Sequence, residues 1–236
     1  MDFAGKFKVF WELFIERGGW ERVLKVGLVN TLLIAVLGLL IGIVLGTLIA
    51  AVKVMPKYKL MPRILDKICS IYVGFFRGTP LVVQLLIAYY VLWPLFGINI
   101  SSLNTSIIVF GLNSAAYVSE IMRGGLLSVD SGQMEAGRAL GLSYGTTMMR
   151  IVIPQAIKNI LPTLGNEFIA LIKDTSVVSF VAATDLYKTF TEIGNVRYEY
   201  FMPYLAMALF YIVLVVLISW GIKVMERSLR KSDRSH

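Results

Sequence analysis

Residues 26–52 read VGLVNTLLIAVLGLLIGIVLGTLIAAV, and no acidic or basic residue interrupts them. Lys25 and Lys53 bracket the run. A bilayer core about 30 Å thick is crossed by roughly 20 apolar residues in a helix, so this stretch predicts a transmembrane span. Two further charge-free runs extend the reading outward. One lies between Arg77 and Glu120, long enough for two spans around the turn Gly97-Ile98-Asn99, and the other between Glu199 and Lys223. Only 16% of the 236 residues are charged, against roughly 25% in soluble domains. The chain is expected to be an all-α membrane protein.

Five transmembrane helices are expected, at about 24–52, 80–96, 102–122, 154–174 and 200–223. They make one permease-sized domain over 23–228, with a short basic tail at 229–236. Before them, Phe3, Phe7, Phe10, Trp11, Phe14 and Ile15 recur at helical spacing, so 1–22 reads as an amphipathic helix lying on the membrane. This N-terminal stretch lacks the apolar core of a cleavable signal. Gly38, Gly42 and Gly46 form a bare stripe on the first span, suited to close helix packing. Residues 53–79 carry Lys53, Lys57, Lys59, Arg63, Lys67 and Arg77 against Asp66 alone, with Pro56 and Pro62 as punctuation, and read as a loop leading into an interfacial helix. Basic residues gather on cytoplasmic loops. The 53–79 loop, the 123–153 loop and the C-terminus are therefore assigned to the cytoplasm, and five spans put the N-terminus outside. The net charge of +8 reflects this bias rather than nucleic-acid binding. One cysteine, Cys69, excludes an internal disulfide, and a single histidine, His236, argues against a histidine metal or catalytic cluster.

Residues 134–154, MEAGRALGLSYGTTMMRIVIP, predict a helix stopping at Gly141, a second one capped by Ser143, and a third begun by Pro154. A connection of about six residues would join two spans, so a folded helical loop suggests a docking surface. The chain has no Gly-x-x-x-x-Gly-Lys-Ser/Thr phosphate loop.

Glu135-Ala136, Gly141 and Ile151-x-x-Pro154 resemble the cytoplasmic loop motif of ATP-binding-cassette importer permeases, with Gly137 where that family often has alanine. Phe76-Arg77-Gly78-Thr79-Pro80-Leu81 with Gln84, Asn30-Thr31, Glu120-x-x-Arg123-Gly124-Gly125, and Asn166-Glu167 followed by Lys173-Asp174-Thr175-Ser176 are similar to the polar amino acid branch. The resemblance implies a type I importer permease fold. It makes Glu135, Ala136, Gly137, Arg138, Ala139, Leu140, Gly141 and Leu142 the helix that couples to a separate ATPase. It further implies two permease copies, identical or related, an extracytoplasmic amino acid binding protein, and alternating access. ATP and Mg would act on the ATPase, so this chain is expected to hold no cofactor or metal and to be no enzyme. Its expected place is the bacterial inner membrane.

A charge within a span costs at least about 2.5 kcal/mol, which singles out Glu167. Pro154 precedes it by roughly 20 Å of helix, near mid-bilayer. Thr163, Asn166, Glu167, Ala170 and Asp174 share a face, read as lining a water-filled cavity where Glu167 meets a substrate cation. A structural carboxylate paired with a neighbouring Arg or Lys is the competing reading. Asn113, Ser114 and Tyr117 on the third span offer hydrogen bonds to a substrate or simply join helices, and Glu120 is expected to pair with Arg123. Thr79-Pro80 marks a helix break whose free backbone groups could take a carboxylate, with Gln84 one turn on. Arg77 is assigned to lipid phosphate or the ATPase. The substrate is thus expected to be a polar, cationic amino acid; glutamine is an alternative, and an ATP-independent secondary transporter is a more distant one.

Overall fold

The computed structural model describes residues 2–55 and 57–233, with side chains through Ser228. Pro56, the side chains of the basic tail 229–236 and His236 lie outside the described residues. The described chain is helical almost throughout.

Helix α1, Phe3–Trp11, is capped by Asp2, whose carboxylate accepts from Gly5 N at 3.0 Å. It runs on through a wide turn to Glu16 and stops at Gly18, whose φ of 72° lies in the left-handed region. Helix α2, Gly19–Val54, follows directly, its helical stretch beginning before residue 24. Then come α3, Leu60–Gly78, and α4, Leu81–Leu95, bent 105° from it. Helix α5, Ser102–Leu127, leads to the short α6, Ser131–Ala139. A turn of helix at Tyr144–Thr147 and a wide turn at Met148–Val152 precede α7, Ile153–Asp174. A tight 3-10 turn, Thr175–Val181, leads to α8, Leu186–Arg197, and finally α9, Phe201–Asp233. Wide turns sit just before Pro94 and Pro154. A proline ring pushes on the carbonyl four residues back and offers it no N–H, and a widened turn absorbs that conflict.

Direction of packing counts the crossings. A Cβ on Gly38 would touch Phe110, one on Gly42 would meet Ser114, and one on Gly46 would meet Ala115, Val118 and Ser119. The numbers rise together, so α2 and α5 run parallel. The chain between them must therefore return across the membrane once, and α3 with α4 is that single broken crossing. Helix α7 runs antiparallel to α5, with Ile160 beside Gly125 and Glu167 beside Ser114. Helix α9 returns against α7, with Ile222 on Gly165. Helices α2, α5 and α9 are apolar enough to span unaided, and α3–α4 qualifies as a pair. Helix α7 carries Lys158, Glu167, Lys173 and Asp174 and takes its place as the fifth crossing by packing between α5 and α9.

One expectation is corrected in its geometry. The sequence reading starts the second span at Pro80, with an interfacial helix before it. Instead the break lies level with the middle of α5: Tyr72 OH donates to Leu112 O at 2.6 Å, and Asn113 Nδ2 donates to Phe76 O at 3.2 Å. Helix α3 is half of the crossing. Its position depends on contacts 37 and 40 residues apart in sequence, which local periodicity does not reveal.

The 175–202 segment joins the N-terminus at one end of the bundle. Asn30 Nδ2 donates to Thr184 O at 2.7 Å, and Leu186 N donates to Thr31 Oγ1 at 3.1 Å. Ion pairs link Arg22 to Glu192 at 2.7 Å, Arg197 to Glu12 at 3.4 Å and Lys6 to Glu199 at 3.7 Å.

Candidate functional site

The break at Gly78-Thr79-Pro80 exposes the last carbonyls of α3 where water is scarce, and Gln84 answers them. Its Nε2 lies 2.9 Å from Phe76 O, 3.1 Å from Thr79 O and 2.8 Å from Thr79 Oγ1. Its Oε1 accepts from Asn113 Nδ2 at 2.9 Å. The Thr79 hydroxyl donates to Phe75 O at 2.8 Å. Gln84 and Asn113 are buried. Non-helical backbone at membrane depth needs such internal partners, so these two amides hold the elbow in shape.

Beside Asn113, the fully buried Ser114 donates to Glu167 Oε1 at 3.0 Å. Gly42 makes room for that hydroxyl, since a Cβ there would lie 2.6 Å from Ser114 Oγ. Among the described residues Glu167 has no cation within 4.0 Å, although ion pairs such as Lys53–Glu120 and Arg22–Glu192 form elsewhere. Among the described residues no neighbouring helix supplies the Arg or Lys that the structural reading calls for. Thr163 and Asn166 are exposed on α7 below and beside Glu167, whereas Asp174 sits exposed at the far end of the helix, about 10 Å further on, apart from this cluster.

Below Glu167 opens a cleft of about 480 Å³, whose walls include Tyr117, Thr163, Glu120 and Arg77. The Arg77 guanidinium lies over the Tyr117 ring, 5.4 Å from its centroid. Sequence reasoning assigns Arg77 elsewhere; only the 105° bend turns the end of α3 toward α5. The cleft ends at a charge cluster. Glu120 takes Arg123 at 2.8 Å, as expected, and also Lys53 of α2 at 2.5 Å. The structure thus gathers Thr79, Gln84, Asn113, Ser114 and Glu167 around the elbow, with Tyr117 and Thr163 on the cleft beneath.

At the Lys53 end, the loop forms the expected helix–turn–helix. Gly141 has φ 82°, and Leu142 N donates to Gly137 O at 3.1 Å. Ser143 Oγ accepts from Thr146 N at 3.2 Å. Gly137 is buried against Thr147, which occupies the space a Cβ would need. The glycine is therefore fitted to this loop. Glu135, Ala136, Arg138, Ala139, Leu140 and Gly141 are exposed and Leu142 partly so, with Leu140 81% exposed.

Residues 38–231 match the family model described as the inner membrane component of binding-protein-dependent transport systems. The arginine transport system permease protein ArtQ of Bacillus subtilis (strain 168) is 39% identical over 207 residues, 88% of this chain and 92% of that one. GlnP of Rickettsia bellii (strain RML369-C), named for glutamine transport, is 40% identical over 86% of this chain and 91% of its own. A crystal structure of an amino acid ABC transporter with histidines contains a chain that superposes with a TM-score of 0.81 at 38% identity, covering 97% of this chain and 99% of that one. The chain belongs to the family of inner-membrane permease components of binding-protein-dependent ABC transport systems.

Proposed function

We propose that this permease carries polar, cationic amino acids (arginine, lysine or histidine) inward by alternating access, with Glu167 as the residue that meets the substrate's positive charge. The observation that carries this reading is the isolation of Glu167: a carboxylate at mid-span with one hydroxyl donor and no cation within 4.0 Å among the described residues. A charge so placed is costly, and a cationic substrate offsets the cost only while it is bound. Tyr117, Thr163 and Asn166 line the approach, and Thr79, Gln84, Asn113 and Ser114 shape its floor. Asp174 stands at the outer entrance.

The partners follow from the same reading. A separate ATPase supplies ATP and Mg chemistry and docks on the exposed loop residues Glu135 to Leu142. A second permease, identical or related, completes the path, and an extracytoplasmic binding protein delivers the amino acid. The N-terminus faces outward and the C-terminus the cytoplasm. Support for this orientation comes from Lys53, Lys57, Lys59 and Arg63 between α2 and the start of α3, and from the pairing of α1 with α8 at the opposite end. A neutral polar substrate such as glutamine is the second reading, favoured by the amide pair Gln84–Asn113 and by the name of one relative.

The test is binding of labelled arginine, lysine, histidine and glutamine to the reconstituted complex, wild type against Glu167→Gln. The expected outcome is a loss of about 10- to 100-fold for the cationic ligands with the complex still assembled. Equal binding of all four by both proteins would remove Glu167 from recognition. Deleting 135–141 is expected to stop ATP-driven uptake; unaffected uptake would favour a secondary transporter.

A further inference from the structure

We infer that Arg77 is a substrate-binding residue that holds the α-carboxylate of the transported amino acid. The inference rests on the cleft being the translocation site, but not on the cargo being cationic. Arg77 forms part of the cleft wall with Tyr117 and Thr163. Among the described residues no carboxylate lies within 4.0 Å of its guanidinium; Glu120, which lines the same cleft, is engaged by Lys53 and Arg123. The guanidinium is instead held over the face of Tyr117, an arrangement that positions it while leaving its N–H fork free. That planar fork matches a carboxylate with two parallel hydrogen bonds. Arg77 also stands in the last turn of α3, where helix carbonyls favour a cation.

Two charged groups then flank one stretch of α5. Tyr117, under Arg77, and Ser114, which holds Glu167, are three residues apart on α5, about 4.5 Å along its axis. Every free amino acid carries an α-carboxylate, and moving it out of water unpaired is unfavourable. The elbow supplies its partner. The 105° bend at Thr79-Pro80 turns the end of α3 toward the path, so the break that Gln84 stabilises is also what delivers the cation.

The experiment measures the affinity ratio of arginine to agmatine, which lacks only the carboxylate, by competition against labelled arginine on the reconstituted complex. Wild type is expected to prefer arginine by about 10- to 100-fold. Arg77→Met should bring the ratio close to one while agmatine binding stays as in wild type, and Arg77→Lys should give an intermediate ratio. Glu167→Gln should weaken both ligands and leave the ratio unchanged. An unchanged ratio in Arg77→Met overturns the inference, and so does equal loss of both ligands in a complex of wild-type thermal stability; either result returns Arg77 to a lipid or structural role. Should Glu167→Gln bind arginine normally, the cationic reading fails alone. Arg77 is then tested in the same way with glutamine against glutaminamide.

Discussion

Helix α5 is packed on two sides in opposite styles. Toward α2 it meets a seam of glycines: Gly38, Gly42 and Gly46 bring the backbones together, with Ile34, Ala35, Phe110, Ala115 and Val118 buried along it. Toward α3, α4 and α7 it presents Asn113, Ser114 and Tyr117, each serving a polar group on another helix. In lipid, apolar burial gives little drive for helices to associate, and close van der Waals packing and hydrogen bonds take over. The glycine seam uses the first device, and the polar face uses the second. The contrast teaches that one side of α5 closes on backbone contacts and the other on bonds between polar side chains.

The largest effect is expected at the seam. Gly46→Leu would place a Cβ 2.9 Å from both Ala115 O and Ser119 N, which are backbone atoms that cannot rotate away. Overpacking of this kind costs about 1–3 kcal/mol or more, so little assembled complex should survive detergent extraction; a wild-type yield and melting temperature would break the comparison. Next comes Gln84→Leu, which strands Thr79 O and leaves Phe76 O and the Asn113 amide only the long bond between them. Each stranded group costs about 1–3 kcal/mol, and the melting temperature of the complex should fall clearly, though less than for the seam variant.

A smaller effect should sharpen the picture at the Asn30 end. Asp185, before α8 and outside the spans, is fully buried, and burial pushes its carboxyl up to about 6 although Tyr187 N and Lys188 N donate to it. The folded protein therefore holds that proton more tightly than the unfolded chain does. Its contribution to stability is complete below the ordinary aspartate range near pH 3.8 and is lost as pH rises through about 6. Melting curves between pH 4.5 and 7.5 should show this slope, and Asp185→Asn should flatten it. The smallest effect belongs to Glu167→Gln, which removes a charge held by one hydroxyl. Its melting temperature should match or slightly exceed wild type, even as ligand affinity falls; a large drop would mean that the carboxylate holds the fold.

Much of this was legible in the residues. Charge-free runs fall on α2, on α4 with α5, and on α9, and the repeat of Gly38, Gly42 and Gly46 announced the seam. Gly141, Ser143 and Pro154 marked the loop turns because capping and proline constraints are local. Glu167 stood out because charge at mid-span is rare. The missing parts are long-range. Nothing near Thr79-Pro80 says that the break lies at the depth of Asn113, so α3 reads as interfacial from its own lysines and arginines. The Ser114–Glu167 bond joins positions 53 residues apart. Lys53 reaches Glu120 across 67. Arg77 reads as cytoplasmic from the basic stretch beside it, because its place over Tyr117 depends on the bend. A useful signal was present nonetheless: an arginine immediately before a Gly-Thr-Pro break belongs to whichever side the break faces.

The buried contact of Gly137 with Thr147 has a mechanical meaning. It fastens α6 to the start of the helical rod that continues through α7, and Gly141 closes the corner without slack. The loop and α7 are therefore joined as one continuous piece, with the wide turn at Met148–Val152 and Pro162 as the places along it where bending would start. Glu167 rides on that helix 13 residues past Pro154, about 20 Å along its axis from the proline. On the proposed reading of Leu140 as an ATPase contact, a push there would reach the carboxylate along one continuous run of helix from Tyr144 to Asp174.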